Sequence, residues 1–217
     1  MSGGRLAELV RDIAGPVGPL EVLVDAPKST PRAVVVFAHP LPTQGGTMHT
    51  KVVYQAAKAF AEVGCVVLRF NFRGVGRSAG AWDNGRGELD DYRAAVDYMA
   101  GQYPGLEIWA AGFSFGSYIA FTVGAADPRV CALVGIAPPV DRYDYGPAIA
   151  AAKPTFIIHG ERDELIPLRA VREFYGRLEE PKELVEIDRA NHLFEGQAGE
   201  VGDVIRDLLV DFSCAKP

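Results

Sequence analysis

The stretch Leu106–Ala126, LEIWAAGFSFGSYIAFTVGAA, decides the architecture of this 217-residue chain. LEIWAAGF (106–113) is an almost unbroken apolar run of strand length, which suits a parallel strand buried on both faces. SYIAFTVGAA (117–126) reads as a helix behind it. Between them, Gly112-Phe113-Ser114-Phe115-Gly116 forms a G-x-S-x-G sequence at a strand-to-helix junction, the context that gives this pattern meaning. A serine on so sharp a turn projects its hydroxyl clear of the sheet, and a Cβ at either glycine would collide with the adjoining strand and helix. The helix start that follows aims free N–H groups at developing negative charge. Taken alone, the five residues could equally be a serine capping a helix between glycines that merely permit a turn. An acid and then a histidine should follow it along the chain.

Strands and helices alternate on either side. LEVLV (20–24), AVVVFA (33–38), CVVLRF (65–70), VCALVGIA (130–137), TFIIHG (155–160) and KELVEID (182–188) read as further strands. Helical spacing covers 48–63, closed by Gly64, and 87–102, where Glu88, Asp90 and Asp91 suit the positive helix end; helices are also expected near 168–179 and 200–212. Residues 5–13 are expected to form a short amphipathic helix, closed by Gly15-Pro16-Val17-Gly18-Pro19. The alternation predicts right-handed crossovers and a parallel sheet covered on both faces. No repeat or linker divides the chain, so a single domain over 1–217 is expected, with residues 1–19 peripheral.

The acid should lie beyond a strand after the elbow. TFIIHG leads into Glu161-Arg162-Asp163-Glu164; Asp163 is the candidate, with Glu161 and Glu164 as competitors and loop solvation as the plain alternative. The histidine should follow the next strand, where Ala190-Asn191-His192-Leu193-Phe194 stands. Of the other histidines, His159 and His39 end strands and read as structural, while His49 is either an exposed polar residue or an edge of the site. Ser114 and Asp163 are 49 residues apart and Asp163 and His192 are 29 apart, room in each case for a crossover and the next strand. In this arrangement His192 takes the Ser114 proton and later returns it, and Asp163 fixes the imidazole tautomer.

Composition narrows the alternatives. Hydrophobic residues make up 48%, charged residues 23%, and the formal net charge is −6; no basic stripe suggests nucleic acid, and no apolar run has bilayer-spanning length. The start, MSGGRLAELVRD, lacks the pattern of a secretory signal. Cys65, Cys131 and Cys214 are an odd, scattered set. Cys65 and Cys131 read as buried thiols, and the usage points to a cytoplasmic location.

Three segments accompany the Ser-Asp-His order: HPLPTQGGTMHTKVV (39–53), NFRGVGRS (71–78) and HGERDELIP (159–167). With the elbow they resemble the α/β-hydrolase superfamily over residues 20–212, and in particular small bacterial serine hydrolases without a cap. NFRGVGRS is similar to the D-x-R-G-x-G-x-S turn of many members, and its Arg73 is read as pinning a loop. HGERDELIP resembles the H-G-x-x-D-x-x-V-P acid loop and selects Asp163. The resemblance implies the α/β-hydrolase fold: a mostly parallel twisted sheet of about seven strands, helices on both faces, one antiparallel strand, LEVLV, and no cap domain. It also implies two backbone oxyanion donors, Phe115 and the residue after the His39 pair. Members commonly have His-Gly there, whereas this chain has His39-Pro40. Proline lacks an N–H, so Leu41 is the matching donor, with Gly45-Gly46 as the alternative.

The expected activity is a serine esterase or thioesterase needing no metal or organic cofactor, acting on a small-molecule substrate as a monomer or small homo-oligomer. A small peptidase or amidase, or a non-catalytic binding scaffold, are the alternatives. Phe113, Phe115, Phe194 and Trp82 could line an acyl pocket or be core, Phe113 more simply core, and Met48 could edge the site. Residues 138–154, between Pro138-Pro139 and Lys153-Pro154, are too few for a cap, which predicts a shallow site with Ser114 unsealed.

Overall fold

The computed structural model describes residues 11–214, and the core strands appear where the apolar runs predict them. In chain order the elements are β1 (Asp12–Gly15), β2 (Gly18–Asp25), β3 (Ala33–Ala38), a 3-10 turn (Pro42–Gln44), α1 (Lys51–Glu62), β4 (Cys65–Phe70), α2 (Arg86–Gln102), β5 (Glu107–Phe113), α3 (Phe115–Ala126), β6 (Val130–Ile136), α4 (Gly146–Ala151), β7 (Thr155–Gly160), α5 (Leu168–Gly176), β8 (Lys182–Ile187) and α6 (Ala198–Leu209). They form one eight-stranded sheet in the order β1-β2-β4-β3-β5-β6-β7-β8. β2 runs antiparallel to β4, and the strands from β4 to β8 are parallel.

The eighth strand is β1. Part of the helix expected over 5–13 lies outside the described residues, but Asp12 and Ile13 are extended, not helical. The run read as a helix stop is a hairpin, with Gly15 facing Gly18 across Pro16-Val17, a two-residue loop of the kind that joins antiparallel strands. Ile13 is buried where it pairs with Leu20. Local spacing suggested a helix, and strand pairing with β2 overrides it.

The continuous runs are buried on both faces because helices cover both. Val34, Val36 and Ala38 of β3 point into a core with α2 and α3 residues such as Tyr92 and Ile119. The alternate residues Val35 and Phe37 join Val53 and Phe60 of α1 and Ile205 of α6. Parallel register then brings the strand ends to one edge: Ala38 pairs with Gly112, Phe113 with Ile136, and Gly160 with Ile187. The loops after β3, β5, β7 and β8 therefore emerge side by side.

The cysteines correct one expectation. Cys65 is a buried free thiol, but Cys131 is disulfide-bonded to Cys214, with Cα atoms 6.0 Å apart. Their 83-residue separation hides a proximity created when the chain leaving α6 returns to the start of β6. The thiol argument for a reducing cytoplasm does not stand on this structure. Among the described residues no helix is long and apolar enough to cross a membrane.

Candidate active site

Ser114 sits between β5 and α3 with φ 52° and ψ −121°, backbone angles that a non-glycine residue adopts only when its surroundings enforce them. The enforcement is visible. A Cβ on Gly112 would lie 2.2 Å from the Gly116 backbone, and one on Gly116 would lie 2.3 Å from the Ala38 carbonyl oxygen. The elbow is thus pressed against the end of β3, where the Leu41 loop begins. The Ser114 N–H donates to the Ile136 carbonyl at 2.8 Å, and the Ser117 N–H and Oγ both donate to the Ser114 carbonyl.

The three side chains expected to meet do so. His192 Nε2 lies 3.0 Å from Ser114 Oγ, and His192 Nδ1 lies 2.7 Å from Asp163 Oδ2. The other carboxylate oxygen of Asp163 accepts the Leu165 and Ile166 N–H groups at 2.9 and 2.8 Å. Burial opposes the charge on Asp163, but the hydrogen bond and charge of His192 and these two N–H groups outweigh it, holding the carboxyl below its ordinary value. An ionised Asp163 makes Nδ1 the protonated nitrogen of a neutral His192. Its Nε2 is then left to accept the Ser114 hydroxyl.

The competing acids in this loop hold the histidine loop instead. Glu164 Oε2 accepts the His192 N–H at 3.2 Å, and Glu161 Oε2 accepts the Arg189 N–H at 3.1 Å. A Cβ on Gly160 would lie 2.5 Å from the Ala190 carbonyl oxygen, so the two loops meet backbone to backbone.

His39 organises the turn after β3. The Phe72 N–H donates to His39 Nε2 at 3.1 Å, so the ring proton is on Nδ1, which donates to the Pro40 carbonyl at 2.7 Å. Burial pushes His39 down to about 4 against the opposing bond to Pro40, which keeps it neutral at pH 7. In a trans peptide the N–H points opposite to the carbonyl, so turning the Pro40 carbonyl toward His39 turns the Leu41 N–H away from it. Gly45 and Gly46 donate their N–H groups to Pro42 and Leu41 carbonyls, each at 3.1 Å, and are engaged in the turn. A Cβ on Gly46 would lie 2.1 Å from the Pro40 oxygen.

Other candidates are sorted by burial. Phe113, Phe115, Phe194 and Met48 are core residues, whereas Trp82 is half-buried with its ring 5.2 Å from that of Phe115. His49 is exposed. Arg73 does pin a loop, through a buried ion pair at 2.8 Å with Asp91 of α2. Sequence reasoning passed over Asn71, whose side chain accepts the Met48 N–H and donates to Glu21; its place at the head of NFRGVGRS was the available signal. Tyr143 of the 138–154 segment stacks on Tyr118 at 4.2 Å, and Ser114 stays partly exposed, so that segment does not seal it.

Residues 29–153, more than half of the chain, match the family model Hydrolase_4, described as serine aminopeptidase, S33. The chain belongs to this family of α/β hydrolases. The match ends before Asp163 and His192. A solved α/β serine hydrolase homologue from Coxiella burnetii is 38% identical, with 96% of this chain and 100% of that one covered and a TM-score of 0.88. A Xanthomonas campestris structure, described as an a/b serine hydrolase without lid, is also 38% identical, covering 95% of each chain with a TM-score of 0.87. A monoacylglycerol lipase from Mycolicibacterium smegmatis is 32% identical over 134 residues, 59% of this α/β hydrolase and 46% of that protein.

Proposed function

We propose that this α/β hydrolase cleaves small carboxylic esters or thioesters through an acyl-enzyme, with Ser114 as nucleophile, His192 as general base and acid, and Asp163 as the orienting acid. The observation that carries the proposal is His192 bridging Ser114 Oγ and Asp163 with one nitrogen each. In acylation, Nε2 accepts the Ser114 proton as Oγ attacks the acyl carbon, and the resulting imidazolium is stabilised by Asp163. The oxyanion is held by the Leu41 N–H, turned away from His39, and by the Phe115 N–H, which opens α3 and has no acceptor within that helix. His192 then protonates the departing alcohol or thiol. Water, deprotonated by the same nitrogen, attacks the acyl carbon, and as the bond to Ser114 Oγ breaks His192 returns the proton to Oγ and the acid leaves. Partial exposure of Ser114 and the short 138–154 segment support an open site on a single cap-less domain, with broad tolerance for small substrates.

The test uses p-nitrophenyl esters graded by acyl length, matched thioesters and a fluorophosphonate probe. Ser114→Ala should abolish both turnover and labelling, and His192→Ala should remove most activity at neutral pH. A Ser114→Ala protein with full turnover and labelling overturns the proposal. The family description favours one second reading, an aminopeptidase. Turnover of aminoacyl amides at rates comparable to esters would select it. The lipase relative adds glycerol monoesters to the panel.

A further inference from the structure

Behind Asp163 lies a second imidazole that the proposed mechanism does not use. His159, the penultimate residue of β7, is fully buried. Its Nε2 lies 3.1 Å from the Ile166 carbonyl oxygen and 3.8 Å from Asp163 Oδ2. Both are acceptors, so Nε2 carries the proton. Nδ1 is consequently a bare lone pair, and it is buried with no hydrogen-bond partner. A core position that served packing alone would be better filled by an apolar side chain, because a buried, unpaired polar atom is unfavourable.

The useful end of the ring is the other one. Ile166 donates its N–H to Asp163 Oδ1, and its carbonyl accepts the hydrogen bond from His159 Nε2–H. Leu165 gives its N–H to the same Asp163 oxygen. The loop thus wraps the carboxylate, and His159 is the side chain that ties this wrap to the sheet. Its N–H also presents positive charge density to the Asp163 oxygen that bonds His192. We propose that His159 is a positioning residue, fixing the acid loop so that Asp163 Oδ2 stays in register with His192 Nδ1. This inference rests on the proposed roles of Ser114, His192 and Asp163.

Three variants test it: His159→Leu removes the donor and the orphaned nitrogen, His159→Gln retains a donor of similar reach, and His159→Asn retains an amide too short to reach Ile166. Small displacements of reacting groups can lower rates by up to about 100-fold. The expected result for His159→Leu is a kcat lower by about 10- to 100-fold with KM within about twofold. His159→Gln should recover kcat to within about fivefold of wild type. Where His159→Leu does not fold, His159→Asn serves as the donor-deficient variant and should show the same kcat loss. Wild-type kcat in the donor-deficient variant, or a His159→Gln protein as slow as it, overturns the inference. Ser114→Ala run in parallel separates the two readings. An active Ser114→Ala protein sinks the proposed mechanism, while an inactive one beside a fully active His159→Leu protein sinks only the role of His159.

Discussion

Replacing His39 separates the two things its ring holds. Nε2 accepts the N–H of the buried residue Phe72, and Nδ1–H aims the Pro40–Leu41 peptide. His39→Leu removes both bonds. His39→Asn places an amide nitrogen near the position of Nδ1, retaining the bond to Pro40, but cannot reach Phe72. Each variant leaves the Phe72 N–H buried and unpaired, so each should lose about 1–3 kcal/mol of stability. Their activities should differ. Full loss of one oxyanion donor costs about 10²–10³ in kcat. If Leu41 is the donor proposed above, its N–H misaimed but present should cost less, about 10- to 100-fold. His39→Leu is therefore expected to show that loss with little change in KM, and His39→Asn to stay within about fivefold of wild type. The assay is steady-state hydrolysis of a p-nitrophenyl ester, paired with urea unfolding of each protein. A folded His39→Leu protein with wild-type kcat refutes the reasoning, as does a His39→Asn protein equally slow.

His39 also predicts how stability depends on pH. Held at about 4 in the fold against 6.5 as a free side chain, it stays neutral while the unfolded chain takes up a proton. Stability is thus full above about pH 6.5 and falls by about 3 kcal/mol as the pH drops toward 4. His159, also lowered by burial, acts in the same direction. The stability that Asp163 contributes is full above the ordinary carboxylate range and is lost as the pH falls through its depressed folded value. Urea unfolding at pH 7 and 4.5 should show a smaller acid loss for His39→Asn than for wild type; equal losses would contradict the assignment. Asp91→Asn strips the buried guanidinium of Arg73 of its counter-charge and should cost about 3–5 kcal/mol, measurable as a Tm drop. A drop within error would show the pair to be dispensable. The Cys131–Cys214 bond closes a span of 83 residues, so reduction should lower stability by about 2–4 kcal/mol. Cys214→Ser should be insensitive to reductant, and an equally insensitive wild-type protein would argue against the bond.

The chain order Ser114, Asp163, His192 and the alternation of runs were legible because both are local. Apolar strand-length runs separated by helical spacing leave few arrangements other than a covered parallel sheet. The elbow glycines announce a tight strand-to-helix turn wherever they fall between such runs. Three matters had no local signal. Residues 12–15 became a strand through pairing with β2, and Cys131 found Cys214 through the return of the chain after α6. The third is the choice among carboxylates. Residue composition leaves Glu161, Asp163 and Glu164 equal, and only a family resemblance ranked them. In the folded chain Asp163 faces His192 Nδ1 while the two glutamates reach backbone N–H groups of the histidine loop. Likewise, which nitrogen of His39 carries the proton depends on the Phe72 N–H, supplied by another strand's end. The order of apolar runs and polar loops along the chain was enough to place the candidate serine, the three carboxylates and the histidine at one sheet edge. Distances, tautomers and the aim of the Leu41 N–H were decided by packing between segments far apart in the chain, because hydrogen-bond direction is a property of neighbours in space.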